Sequence, residues 1–378
     1  MSQQVSRKIN LFGVVNTPEI EIAAINIIRS GRIANGPHVS AFEFGLSKLF
    51  EQQHIVCTIN MTSALHLALY MSGVRSGDDV VTSAFACMAT NSSIAAIGAR
   101  PVWVDLEPQA AYIDTAQFES VITPRTKAAI IYHLAGYPSP SNKIAEICQK
   151  HGIKLIEDCD NAAFATIGDK FVGSFGDFAV YSFYPNRQIN TIEGGALTCR
   201  DSNHAAEARK LRYYGINSSL FRLSTGEIDP ECDIPVAGWS MGMNNLSAAI
   251  GCQQLQSVRA RVYKTRANVE LLKNWLSDIT EIQFIKEFPN TVSAYWVLLI
   301  QVDFRDKILE KLKIQGIMCS TLHQRNDKYS CFLPSIKKLP NTEKLQSKII
   351  AIPCGWWLDE MDLKYIVESL KIAICANC

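Results

Sequence analysis

Two segments of the chain place polar side chains where apolar runs stop: IEDCDNAAFA, Ile156 to Ala165, and VGSFGDFAVYSFYPNRQINTIEGGALT, Val172 to Thr198. In open α/β sheets, ligands lie beyond the carboxyl ends of strands, which is where Asp158 and Ser182 fall. A carboxylate there can pair with a protonated ring nitrogen of a cofactor, and a serine can hold a phosphate; Asp and Ser at strand ends are also ordinary caps. Upstream, TSALHLALYMS, Thr62 to Ser72, opens with two hydroxyls and then spaces apolar residues at helical intervals. Thr62 and Ser63 therefore mark a helix N-terminus able to take an anion on free backbone amides, with a plain capped core helix as the alternative. His133 ends a strand on the same side and could serve as a general acid or base, or as a hydrogen-bonded structural histidine. The sequence holds no HExxH, GxSxG or GxxxxGKS pattern, which argues against zinc hydrolase, serine hydrolase and P-loop chemistry.

The elements that would position these residues alternate. Between residues 50 and 200, short β-branched runs are separated by amphipathic stretches, the pattern of β-α units around a mostly parallel sheet. The strands are expected at Asp79 to Thr82, Pro101 to Asp105, Ala128 to Tyr132, Lys154 to Glu157 and Ala179 to Phe183. A long helical pattern, Cys252 to Trp275, rich in Lys and Arg on one face, then bridges to a second unit that ends in an amphipathic helix, Asp359 to Ile372. The expected architecture is α/β: a three-layer α/β/α mostly parallel sheet over residues 1–252, followed by a smaller C-terminal α+β domain over 253–378.

Composition supports a well-buried globular chain: 378 residues, 48% hydrophobic and 19% charged. With 37 Lys and Arg against 36 Asp and Glu the formal net charge is +1, so neither nucleic acid nor an acidic membrane surface is an expected partner. The polar start MSQQVSRKIN leads to no apolar signal region, and no stretch reaches the roughly 18 to 20 apolar residues that span a bilayer, so a cytoplasmic protein is expected. The 12 cysteines are scattered through apolar runs and read as reduced, mostly buried thiols. Cys375 and Cys378 make a lone CxxC without a second pair or a histidine, and no metal is expected.

The order NMTSALHLAL, GARPVWVDLEP, TPRTKAAIIYHLAGYP, IEDCDNAAFA, GSFGDFAVYSF, INTIEGGALT, RYYGI, HQRNDKYSCF and IPCGWW resembles the DegT/DnrJ type of nucleotide-sugar aminotransferase. This is a pyridoxal-phosphate family of the aspartate-aminotransferase fold, and the resemblance runs from about residue 10 to 370. It implies that Asp158 meets the pyridine nitrogen, that Thr62, Ser63 and Ser182 hold the phosphate, and that Cys87 and Asn161 stand where the family places a stacking aromatic and a glutamine. It implies a substrate loop at His323 to Asp327, with His323 as a catalytic candidate and Arg325 and Asn326 as substrate contacts. Trp239 and Tyr214 could stack on a base or sugar. A homodimer with the site between subunits is implied as well.

The imine position departs from this pattern. In the family a lysine sits five residues after the serine of the SF motif; Ser182 plus five is Arg187, and no lysine lies between Lys170 and Lys210. A guanidinium stays protonated and can neither form a productive imine nor shuttle a proton. Met61 replaces the usual glycine before the phosphate-binding hydroxyls, where a side chain could intrude, and Ser240 and Gly242 replace basic or amide-bearing positions that reach a partner's phosphate. The glycines of Glu193-Gly194-Gly195 are read as permitting a backbone other residues resist.

The leading reading is a sugar-aminotransferase-like protein that binds a sugar or nucleotide sugar and acts without covalent pyridoxal phosphate, with Arg187, His133 and His323 as candidate catalytic groups. The alternatives are an aminotransferase or dehydratase holding pyridoxal or pyridoxamine phosphate non-covalently, a transaminase whose lysine has been exchanged, and a catalytically silent partner of an active paralogue.

Overall fold

The computed structural model describes residues 7–332 and 337–375; the start before residue 7, and Cys378, lie outside the described residues. Seven strands form the central sheet: β1 (Ile55–Thr58), β2 (Asp79–Ser83), β3 (Arg100–Val104), β4 (Thr126–Tyr132), β5 (Lys154–Asp158), and, after the short hairpin β6 (Thr166–Ile167) and β7 (Lys170–Phe171), β8 (Phe178–Ser182) and β9 (Gly195–Cys199). Their order is β1-β9-β8-β5-β4-β2-β3. The run from β8 to β3 is parallel, and β9 is antiparallel to both of its neighbours.

Successive side chains on a strand point to opposite faces, and here both faces are apolar. Val81, Ile131 and Leu155 pack on one side with Ile144 and Cys148 of the helix Ser141–His151. Val80, Ile130 and Ile156 pack on the other with Leu65, Ala68 and Leu69 of the helix Met61–Met71. Burial on both faces is why these strands read as continuous apolar runs, and it makes the unit three layers deep.

The second unit is an antiparallel sheet of three strands, Gln283–Phe284, Leu298–Gln301 and Ile349–Ile352, packed under the helices Arg305–Ile314 and Glu360–Cys375. The bridging helix spans Val258–Leu276: Val258 and Val262 enter the core of the first unit, while Val269, Leu272 and Leu276 enter that of the second. It does not start at Cys252. That residue ends a separate helix, Asn245–Cys252, and the turn after it lets Gln254 cap the backbone of Asn190, accepting from its N–H and donating to its carbonyl. The start of the described chain belongs with the second unit: Ile9 pairs with Ile317 and is buried among its apolar residues, and Arg7 is paired with Asp359 and Asp362.

Three local expectations change. The helix Met61–Met71 is capped by Asn60, whose side chain accepts from the amide of Ser63, so Thr62 and Ser63 lie in the first turn and do not serve as the cap. Gly194 and Gly195 are not in the left-handed region; they are required by close approach, since a Cβ on Gly195 would lie 2.5 Å from the backbone of Asn60 and Met61. The left-handed residue of that turn is Ile192, at φ 70°. Met61 does not intrude: its side chain is buried in the layer between helix and sheet.

The eleven described cysteines are all free, and six of them are buried. Among the described residues, no helix is long and apolar enough to cross a membrane.

Candidate functional site

The parallel strands bring four segments to one edge of the sheet. β4 ends at Tyr132, β5 ends at Asp158, β2 leads into Cys87 and a helix spanning Met88–Ala96, and β8 ends at Ser182 before the turn that carries Arg187. Asp158 is fully buried. Its Oδ2 accepts from the hydroxyl of Thr90 at 2.6 Å and its Oδ1 from the backbone N–H of Asp160 at 3.1 Å. Burial, followed by the charge of Asp160, pushes its pKa up to about 7, against the pull of these two bonds and of Arg187.

Arg187 forms a fork with Asp160. Its Nε donates to Oδ1 at 2.6 Å and its Nη2 to Oδ2 at 2.9 Å, while Nη1 donates to Oδ1 of Asn186. The guanidinium lies over the ring of Trp296, 4.8 Å from its centre, and Trp296 in turn stacks on Phe12 and donates from Nε1 to the carbonyl of Asn186 at 2.8 Å. Burial opposes the charge of Arg187, but the charge and hydrogen bonds of Asp160 outweigh it and leave the guanidinium above its ordinary pKa. Arg187 is thus a fixed cation, spoken for by its own chain.

Asn161 donates to the hydroxyl of Tyr132 at 3.1 Å and to Asp160 Oδ2 at 3.2 Å, and Gln188 donates to its carbonyl. The Oδ1 of Asn161 is buried with no hydrogen-bond partner. His323 lies with Nε2 at 3.3 Å from the Tyr132 hydroxyl and edge-on to Phe85. Burial lowers its pKa to about 4, so it is neutral at physiological pH. The Cys87 thiol is pushed up by burial and by the charges of Asp160 and Asp158, which keeps it protonated and a poor nucleophile.

The remaining candidates are distributed differently. His133, one residue beyond Tyr132, is fully buried elsewhere: its Nδ1 accepts from the amide of Ser139 at 2.9 Å, which puts its proton on Nε2, 3.3 Å from Glu157. Glu157 also accepts from the amides of Phe175 and Gly176, so this histidine ties loops to the sheet and is not a general acid or base at the cluster. Arg325 and Asn326 turn inward and are not free to contact a substrate. Arg325 forks onto Asp327 at 3.0 and 2.6 Å, and Asn326 accepts from Asn91 at 2.8 Å and donates its backbone N–H to the carbonyl of Ala84. Of the loop 323–327 it is His323 that joins the Tyr132 cluster; the polarity of the rest is structural. Trp239 sits edge-on to His66 and Tyr70, and exposed Tyr214 donates its backbone N–H to the carbonyl of Trp239. Ser182 pairs with Gly195, which abuts the N-terminus carrying exposed Thr62 and buried Ser63, so these three hydroxyls are held on neighbouring elements.

Sequence reasoning missed Thr90, Asp160, Tyr132 and Trp296. Asp160 left one signal, a second acidic residue two positions after Asp158 at the end of an apolar run. Two acceptors of the cluster, the remaining lone pairs of Asp158 and the orphan Oδ1 of Asn161, fit the protonated nitrogen and the hydroxyl of a pyridoxal ring. Arg187 does not fit the covalent part of that cofactor, because a guanidinium held by a carboxylate has no lone pair to offer a carbonyl.

An Asp158→Asn variant tests the buried carboxyl. The folded chain releases this proton near pH 7 and the unfolded chain at about 3.9, so the folded state holds the extra proton between them and stability falls as pH rises across that window. His323 acts with opposite sign, adding stability as pH rises from about 4 to about 6.5. Asn at 158 keeps both partners, since the Thr90 hydroxyl can turn to accept. The variant should gain on the order of 2 kcal/mol at pH 8 relative to pH 5, compared with the parent. Urea unfolding at the two pH values checks it, and an unchanged pH dependence would refute the assignment.

Comparison with known proteins identifies the family and the fold. The model of the DegT/DnrJ/EryC1/StrS aminotransferase family matches residues 16–371. The structure is similar to that of the aminotransferase TlmJ from Streptoalloteichus hindustanus (25% identity, 98% of this chain and 100% of that one, TM-score 0.91). It is similar also to AtS13 from Actinomadura melliaura (29%, 98% and 100%, 0.91) and to the sugar aminotransferase CalS13 from Micromonospora echinospora (27%, 96% and 99%, 0.91). With its sheet order, its strand-end carboxylate and a family match over nearly the whole chain, the protein belongs to the DegT/DnrJ/EryC1/StrS aminotransferase family.

Proposed function

We propose that the chain binds a sugar or nucleotide sugar beside Asp158, Tyr132, Asn161 and His323 and acts on it without a covalent bond to pyridoxal phosphate, Arg187 standing where relatives carry the imine lysine. The observation that carries this reading is the Arg187–Asp160 fork: the side chain at position 187 is a paired, permanently protonated group. The sugar class follows from relatives named as sugar aminotransferases. Neutral His323 lies against the hydroxyl of Tyr132, and Tyr132, held well above its ordinary pKa by burial and then by Asp160, keeps its proton. A second copy of the chain completes the site: Ile22, Ile25 and Ile28 are exposed on the helix Pro18–Ser30, an apolar stripe suited to a partner.

A second reading is favoured by the orphan Oδ1 of Asn161 and the buried carboxyl of Asp158: pyridoxal or pyridoxamine phosphate held non-covalently, supplying an electron sink when bound. Absorbance between about 300 and 450 nm, with and without added cofactor, is paired with calorimetric titration of nucleotide sugars. The leading reading expects sugar binding and no covalent chromophore. A chromophore released by denaturation supports the second reading, and failure to bind any nucleotide sugar sinks the first.

A further inference from the structure

We infer that Asp160 is a specificity-determining residue that holds whatever cation occupies position 187 in its charged form, so that restoring a lysine there does not by itself restore covalent cofactor binding. The inference rests on the reading that position 187 is the imine position.

Asp160 is buried, and its two carboxylate oxygens receive the Nε and Nη2 of Arg187 at 2.6 and 2.9 Å. A lysine in the same rotamer places its Nζ where the arginine has Cζ, between these two donor atoms, and so within ion-pair reach of both oxygens. Asp158 adds a second buried carboxyl held two residues away by the Asp160 amide. The third neighbour, Asn161, donates to Asp160 and leaves its own acceptor unused, so it does nothing to neutralise the carboxylate for another group.

Imine formation needs the lone pair of a neutral amine. The nitrogen attacks the aldehyde carbon, the carbonyl oxygen departs as water, and an ammonium must first surrender a proton. A carboxylate in contact shifts that equilibrium toward the ammonium by roughly tenfold to a thousandfold. Asp160 and the residue at 187 are therefore one device: the acid that steadies the arginine disables a lysine. Removing the acid as well lets a buried lysine shed its proton, since burial disfavours the charged form.

The test uses the full chain as Arg187→Lys, as Arg187→Lys with Asp160→Ala, and as Arg187→Lys with Asp160→Asn. Each is mixed with one equivalent of pyridoxal phosphate at neutral pH, reduced with borohydride, and mapped by peptide mass for a pyridoxyl group on residue 187. Labelling at 187 in the single variant should be at least about tenfold below that in either double variant, and the gap should close as pH is raised and the ammonium is titrated. The Asn variant keeps the shape of Asp160, so a fold defect in the Ala variant does not decide the outcome. Equal labelling at 187 in single and double variants at neutral pH overturns the role of Asp160 while leaving the imine position standing. Labelling absent from 187 in all three overturns both.

Discussion

An Asp160→Ala variant of the parent chain is expected to lose about 3–5 kcal/mol of folding stability, because it leaves the guanidinium of Arg187 buried without its counter-charge. Asp160 and Arg187 are both buried, and the neighbours that remain to Arg187 are the neutral amide of Asn186 and the ring of Trp296. Without the charge of Asp160, one of the causes that raise it, Asp158 ionises beside the unpaired guanidinium at a lower pH than in the parent, so the loss should shrink as pH rises toward about 7. Pairing Asp160→Leu with Arg187→Met should recover most of the loss, since a buried ion pair and a well-packed apolar pair of like volume are often close in stability. Urea unfolding of the single variants and the double variant gives the coupling directly. A cost below about 1 kcal/mol for Asp160→Ala would show that water reaches Arg187, and that the fork is not the buried device described above.

The second large effect is expected at Asp327. Its carboxylate is fully buried and accepts both prongs of Arg325, whose Nη2 also donates to the carbonyl of Lys337 at 2.9 Å. Asp327→Ala should cost about 3–4 kcal/mol, because the nearest other carboxylate, Glu343, stands 3.8 Å off with an exposed side chain and compensates weakly. The same loop carries His323 against Tyr132, so the variant should also weaken ligand binding at the site, which substitution of an ordinary surface acid would leave alone. Thermal unfolding and calorimetric titration, run on Asp327→Ala and on Glu343→Ala as the control, separate the two effects. Equal losses from both substitutions would mean that the fork is not what holds the loop.

The sheet was largely legible in the chain. Five of its strands lie within two residues of the apolar runs that announced them, because a strand covered by helices on both faces must be apolar at consecutive positions. The strands β1 and β9 were not foreseen; β1 has four residues, and β9 is the antiparallel member of the sheet. The helix pattern from Cys252 to Trp275 ran on where the chain breaks, since the gain that stops it, Gln254 bonding to the backbone of Asn190, lies 64 positions away in sequence. Periodicity records what a helix buries and carries no term for such a bond.

What the sequence determined by itself is the alternation of elements, the strand-end placement of Asp158 and Ser182, and the presence of an arginine at 187 with no lysine near it. What only the tertiary structure decided is what each polar side chain is for. Asp160 and Arg187 are 27 positions apart and meet because β5 and β8 are hydrogen-bonded neighbours. His133 turns from Tyr132 toward Glu157 because successive residues along a strand face opposite ways. Arg325 and Asn326 spend their hydrogen bonds on the fold, leaving His323 to the site. Hydrogen bonds and ion pairs act over a few ångströms, so their partners are settled by which strands and loops lie side by side, and residue type alone does not specify that adjacency.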